Sequence, residues 1–190
     1  MAHTPLSEKV LLLESALSQA RISHAFGGAI ALAYYATPRG TIDIDLNLFV
    51  DTGHADDVLE LLSRLGGEPL PPDQRRRLQS DGQTTVRWDR TPVDLFFAYD
   101  PLHESCMERR RRVPFGDADT IHVLSVEDLI VFKVIFDRDK DWRDIEEIDF
   151  AMPDEIDDAY VAHWLEAIIG RDDPRFERLT SLRRGDRPAR

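Results

Sequence analysis

From residue 41 the chain alternates: Ile42, Ile44, Leu46 and Leu48 are interleaved with Thr41, Asp43, Asp45 and Asn47. That is the period of a strand with one buried face, with Asp43 and Asp45 on the other. Their side chains start one repeat apart, about 6.5–7 Å along the backbone. Ahead of it, Ser7–Ala20 carries Val10, Leu13, Leu17 and Ala20 at helical spacing. A short strand over Ile22–Phe26 then runs through Gly27-Gly28 into an apolar helix, Ala29–Ala36, which must stop before Pro38. Beyond the acidic strand, Val58, Leu61, Leu62 and Leu65 predict a helix over His54–Leu65, ended by Gly66-Gly67. The proline-rich stretch Glu68–Gln74 reads as a surface loop, and strands are expected at Thr84–Trp88 and Val93–Ala98. In the second of these, Val93, Leu95 and Phe97 share one face and Asp94 and Phe96 the other. A helix over Leu102–Arg112 precedes a hairpin of Val113–Phe115 and Thr120–Leu124. The pattern is helical from there. Ser125 and Asp128 form a start signal for Val126–Asp137. Asp141–Ala151 and Ile156–Ile169 follow, with one more turn around Phe176 and Leu179 and a disordered tail over Arg183–Arg190. Strands and helices in this mixed order predict an α+β fold: a mixed sheet flanked by helices, with a C-terminal helical part.

Two carboxylates on one strand face repel unless a cation sits between them. Mg²⁺ is commonly held by one or two carboxylates together with substrate phosphates. The competing reading is a solvated strand face bearing two ordinary aspartates. The Gly27-Gly28 turn favours the cation, because glycine lets backbone approach phosphate and a helix start offers free N–H groups. Asp94, in the middle of an apolar strand, is costly without a partner. Either a metal shared with Asp43 and Asp45, or an arginine, would supply one. Arg39 is suited to a triphosphate or to an acidic neighbour, and its position does not choose between them.

The 190-residue length fits one domain, or one core with a small appended bundle. A net charge of −12 argues against a generally basic nucleic-acid surface. Arg75-Arg76-Arg77, Arg109–Arg112 and the tail from Arg183 are nevertheless local basic patches along which an RNA backbone could run. No apolar run approaches the roughly 18 residues of a membrane span, and no secretory leader is expected. The single cysteine, Cys106, has no internal disulfide partner, so a reducing cytoplasm is the expected compartment. The six histidines are scattered without metal-ligand spacing, and neither a Walker motif nor a Gly-x-Ser-x-Gly elbow occurs.

The segment Gly27-Gly28, short helix, Arg39-Gly40-Thr41-x-Asp43-x-Asp45, together with Asp94 in Pro92-Val93-Asp94-Leu95-Phe96-Phe97, resembles the nucleotidyltransferase superfamily with the DNA polymerase β-like fold. Asp128-Leu129-Ile130-x-x-Lys133 and Arg138-Asp139-Lys140-Asp141-x-x-Asp144 resemble, more narrowly, the AbiEii/MenT-like toxin branch of bacterial toxin-antitoxin systems. The resemblance covers about residues 20–150 and implies a nucleotidyltransferase core over 1–124, a helical region packed on it over 125–182, and a flexible tail over 183–190. It implies Mg²⁺ or Mn²⁺ on Asp43, Asp45 and Asp94, and an NTP substrate with its phosphates near Gly27 and Gly28. It also implies that Lys133 neutralises the triphosphate, with Arg39 a second candidate for that role, where the residue pattern alone would let Lys133 snorkel at a helix edge. Asp144 either holds Lys133 or acts near the site. By the same resemblance, the acceptor is the 3′ end of tRNA, the donor a pyrimidine nucleotide, and a cognate antitoxin neutralises the protein. Thr41, beside the aspartates, is a position where such a partner could place a phosphate, or a threonine chosen for strand propensity. The alternatives are nucleotidyl transfer to an aminoglycoside-type small molecule, AMP transfer to a protein, and a degenerate nucleotide-binding module.

Overall fold

The computed structural model describes residues 4–183, in two compact units. Of the described residues, the first comprises 4–30 and 40–124, the second 31–39 and 125–183. Of the tail expected over 183–190, Arg183 instead closes the last helix and pairs with Asp149 and Asp158, and 184–190 lie outside the described residues.

The first unit is built on a six-stranded mixed sheet of order β3-β4-β2-β1-β6-β5. Its strands are β1 (His24–Phe26), β2 (Ile44–Leu48), β3 (Gln83–Trp88), β4 (Thr91–Phe97), β5 (Arg111–Phe115) and β6 (Asp119–Val123). β2 runs parallel to β4 and antiparallel to β1, while β1 runs parallel to β6. Ile44, Leu46 and Leu48 of β2 and Val93, Leu95 and Phe97 of β4 have no exposed surface. Each such side chain contributes roughly 1.5–3 kcal/mol on burial. Helix α1 (Leu6–Gln19) adds Val10, Leu13 and Leu17 to this core. Helix α3 (Ala55–Leu65) adds Val58 and Leu62 and ends at Gly66 in the left-handed conformation, φ 112°.

Several expected boundaries move. The acidic strand begins at Ile44, and Ile42 is 75% exposed, so the alternation does not extend to residue 42 as a buried face. Ala20 follows α1 and is exposed; the buried stripe of that helix carries Lys9 instead. Lys9 Nζ donates to the Trp88 carbonyl at 2.7 Å and Thr91 Oγ1 at 3.1 Å, and pairs with Asp89 at 3.2 Å. These partners stand on the turn between β3 and β4, so the buried ammonium clamps that hairpin to α1. The proline-rich segment is a loop only to Pro71, since α4 spans Pro72–Asp81. Proline at a first helical position loses no intrahelical bond, and Leu78 is the single buried anchor of this polar helix. Helix α5 (Pro101–Arg109) stops earlier than expected because Arg111 and Arg112 pair with Val123 and His122 in the hairpin.

The second unit is helical. The five-residue α2 (Gly28–Leu32) carries the chain into it, shorter than the expected Ala29–Ala36. The others are α6 (Val126–Phe136), α7 (Asp139–Ala151), α8 (Asp158–Ile169) and α9 (Pro174–Arg183). α9 is ten residues long where one turn was expected. Ser125 caps α6 by accepting from Asp128 N–H at 3.2 Å, and its hydroxyl donates to Asp128 Oδ2 at 2.6 Å. Asp128 Oδ1 accepts from the Tyr160 hydroxyl of α8 at 2.6 Å, so this buried carboxylate ties two helices together. Among the described residues no helix is long and apolar enough to cross a membrane.

Candidate active site

The parallel pairing of β2 with β4 places Asp45 directly opposite Asp94. Paired positions on neighbouring strands lie about 4.8 Å apart. The burial pattern of β4 strictly alternates, with Val93, Leu95 and Phe97 inside and Asp94 half-buried on the other face. Asp43 stands two residues ahead of Asp45, just before β2 begins, and is also half-buried. The sheet therefore sets Asp45 beside Asp94, 49 residues further along the chain, while Asp43 precedes the strand; among the described residues these three carboxylates are not a group with ligand atoms within 4.8 Å of one another.

Hydroxyls orient two of the three. The Thr85 hydroxyl on β3, cross-strand from Asp94, donates to Asp94 Oδ1 at 2.5 Å. The Thr41 hydroxyl donates to Asp43 Oδ1. Within the sheet unit, neither Asp43 nor Asp94 has a cationic partner among the described residues, and a threonine hydroxyl stands at Asp94 in place of an arginine.

The glycine pair is built against Asp45. Gly27 N–H donates to the Asp45 carbonyl at 2.9 Å. Gly28 has φ +51°, and a Cβ there would lie 1.7 Å from Asp45 Oδ2. A side chain at Gly28 would thus be strained in the backbone and occupy the space of the carboxylate. A Cβ at Gly27 would meet Asn47 Nδ2 at 2.8 Å. The backbone at Gly28 and a carboxylate oxygen of Asp45 consequently share one small space, into which no side chain projects from the glycine side. Asp45 and Asp94 in register, with Asp43 two residues away, offer only oxygen donors, so a cation they could hold would be a hard one such as Mg²⁺ or Mn²⁺.

A cavity of about 520 Å³ opens on the β3 edge, lined in part by Glu68, Gln74, Arg77, Asp81, Thr85 and Arg87. Thr85 belongs both to this cavity and to the hydrogen bond that fixes Asp94. Three of these residues come from or border α4, the helix the proline signal concealed.

In the helical unit, Lys133 Nζ lies 2.5 Å from Asp144 Oδ2 and 3.7 Å from Asp141 Oδ1. Arg39 grips the same carboxylate with two bonds, Nε to Oδ1 at 2.9 Å and Nη2 to Oδ2 at 3.0 Å. Lys133 is 3% exposed, so it does not snorkel at a helix edge; its ammonium is enclosed and paired. Burial pushes the Asp144 carboxyl up, but hydrogen bonds from Arg39 and Lys133 outweigh it and hold the pKa below the ordinary value. Sequence spacing left Arg39 and Asp144 apart by 105 residues; the fold makes them a bidentate pair.

The histidines set aside on spacing also change status. His24 of β1 and His122 of β6 converge on Glu14 of α1, with all three ligand atoms within 4.8 Å of one another. Separations of 10 and 108 residues carry no linear signal.

The fold is that of nucleotidyltransferase-like proteins. Among solved structures, an antigenic nucleotidyltransferase-like protein from Paracoccidioides brasiliensis is similar, with TM-score 0.56, 16% identity, and 94% of this chain and 92% of that one covered. The lincomycin-bound lincosamide antibiotic adenylyltransferase LnuA is similar with TM-score 0.52 and 13% identity, over 78% of this chain and 98% of that one. ANT(2'')-Ia in complex with adenylyl-2''-tobramycin is similar with TM-score 0.51 and 15% identity, over 96% and 97% of the two chains. No protein-family model matches the sequence, and no curated protein does at a significant level.

Proposed function

We propose that this chain is a metal-dependent nucleotidyltransferase that moves a nucleotide from an NTP to the hydroxyl of a small polar molecule. The observation that carries this reading is the in-register pair Asp45–Asp94 with Gly28 backbone against Asp45. Asp43, Asp45 and Asp94 would hold Mg²⁺ or Mn²⁺. When bound, the ion supplies charge neutralisation on the triphosphate and a fixed template for in-line displacement.

The rest is work for the chain itself. The glycine backbone lets the phosphates approach without a side chain intervening. With Oδ1 of Asp94 engaged by Thr85, its Oδ2 accepts the proton of the acceptor hydroxyl. The hydroxyl oxygen then bonds to the α-phosphorus, the bond to the β-phosphate breaks, and pyrophosphate leaves. Positioning and electrostatics account for most of the rate. The phosphate-neutralising roles of Lys133 and Arg39 belong to this proposal, and their test is triphosphate affinity in Lys133→Ala and Arg39→Ala.

Three features support a small acceptor. The cavity beside Thr85 has the size of a small-molecule site and carries both signs of charge. The net charge of −12 favours a cationic or neutral acceptor over a polyanion. LnuA and ANT(2'')-Ia, whose names and ligands point to antibiotics, share the fold over nearly their whole length. The second reading is the toxin suggested by the sequence resemblance, adding pyrimidine nucleotides to the 3′ end of tRNA and silenced by a cognate antitoxin. Exposed Arg111 and Arg112 on edge strand β5 support it. Against it, Arg75 and Arg77 are engaged by Asp56 at 2.5 Å and Asp73 at 2.7 Å, which removes much of one basic patch.

The test is to incubate the protein with Mg²⁺ and each labelled NTP, offering aminoglycosides, lincosamides or total tRNA, beside Asp45→Asn. Label on a small molecule with wild type alone establishes the first reading. Label on tRNA alone establishes the second, and no label on either class overturns both.

A further inference from the structure

The Glu14–His24–His122 cluster is not used by the reaction above, and its hydrogen bonding leaves a specific demand. His24 Nδ1 lies 3.0 Å from the Ile22 carbonyl oxygen. A carbonyl only accepts, so Nδ1 carries the hydrogen and directs the other ring nitrogen, Nε2, at the carboxylate. That nitrogen is 3.0 Å from Glu14 Oε2, an atom that also only accepts. Two lone pairs at this distance need a cation between them, either a proton or a metal ion. His122 closes the cluster: its Nδ1 is 2.8 Å from Glu14 Oε1, and its backbone N–H donates to Oε2 at 3.0 Å.

We propose that Glu14, His24 and His122 form a divalent transition-metal site, with zinc as the ion that suits it best. Two imidazoles and one carboxylate are a three-ligand zinc set with a fourth position for water. Zinc bonds of about 2.0–2.2 Å at tetrahedral angles put ligand atoms roughly 3.3–3.5 Å apart, so the present contacts of 3.0 and 2.8 Å, within a cluster spanning no more than 4.8 Å, open by a few tenths of an ångström to admit the ion. The Ile22 carbonyl already holds the distal nitrogen of His24, as the outer partner of a metal-bound histidine does. The side chain of His24 is 2% exposed and that of Glu14 12%, whereas that of His122 is 27% exposed, so one side stays open to an entering ion and to water. The ion cross-links α1, β1 and β6. It thereby steadies the strand that leads into the glycine pair. Nitrogen donors separate it from the all-oxygen set of Asp43, Asp45 and Asp94, which takes hard cations.

The test uses the metal-stripped full chain carrying Asp43→Asn and Asp94→Asn, so that the aspartate site does not compete. Cobalt and then zinc are titrated in. The expected result is one equivalent of cobalt with visible bands of a four-coordinate site containing nitrogen, displaced by zinc and untouched by excess Mg²⁺, and a zinc-dependent rise in Tm. Adding His122→Asn, which keeps an N–H donor but no imidazole, should weaken binding by at least about ten-fold and abolish the rise in Tm. Glu14→Gln should do the same, and a native circular dichroism spectrum shows that each variant is folded. Binding of equal strength in folded His122→Asn overturns the site. So does the absence of any stoichiometric binding, which would leave the proton as the occupant.

Discussion

The sheet unit half-buries its aspartates and the helical unit buries Asp144, and they treat them in opposite ways. Asp144 in the helical unit is enclosed by Arg39 and Lys133 at 2.5–3.0 Å. Its charge is balanced on the spot, and it is the hub that positions both cations. In the sheet unit, Asp43 and Asp94 each accept from a threonine hydroxyl and, among the described residues of that unit, meet no cation. A hydroxyl orients a carboxylate without cancelling its charge. Acidic groups that a fold intends for itself are paired; those held in position with their charge intact are suited to something that arrives from solution.

The largest expected effect breaks this contrast most directly. Asp94→Ala should lower nucleotidyl transfer by about 10²–10⁴-fold with little change in Tm, measured as label transferred per minute beside a thermal scan. A large stability loss instead would make Asp94 structural. Asp144→Asn should do the reverse, destabilising the helical unit by about 3–5 kcal/mol by leaving buried Lys133 without its main partner, as read by denaturant unfolding. A loss of activity with unchanged stability would move Asp144 from the hub to the chemistry. Because its pKa is lowered, Asp144 contributes stability fully above the ordinary value of 3.8, and that contribution is lost as pH falls below it. The stability gap between wild type and Asp144→Asn should therefore narrow below that pH.

Gly28→Ala should cost roughly 1–3 kcal/mol from the positive φ. It should also weaken triphosphate binding, since the new Cβ displaces Asp45; isothermal titration with a non-hydrolysable NTP checks this. Thr85→Val should have the smallest effect, a fall in transfer rate of about ten-fold without loss of NTP affinity, because it frees Asp94 but removes no carboxylate. An unchanged rate would show that the hydroxyl is not needed to aim Asp94.

Much of the sheet was legible along the chain. Alternation located β4 and its buried face to within two residues, and the Gly66 stop placed the end of α3. Legibility failed where one signal masked another. The prolines at 69, 71 and 72 announce a loop, yet Pro72 opens α4, and only Leu78 marks that helix as packed. Lys9 was unreadable because nothing in a lysine predicts the carbonyl of Trp88, 79 residues away. Ile42 continued the alternation but lies beyond the point where β2 has strands to pair with, so its side chain stays in solvent.

By itself the sequence determined the α+β class, the spacing of Asp43 and Asp45 and the glycine pair before them, because periodicity and backbone freedom are local properties. Only the tertiary structure decided that Asp94 falls opposite Asp45, that Arg39 and Lys133 share one carboxylate, and that Glu14, His24 and His122 meet. Strand register in the sheet and helix packing elsewhere bring those groups together across 10 to 108 residues of chain, and a one-residue change of register would turn Asp94 to the opposite face of the sheet.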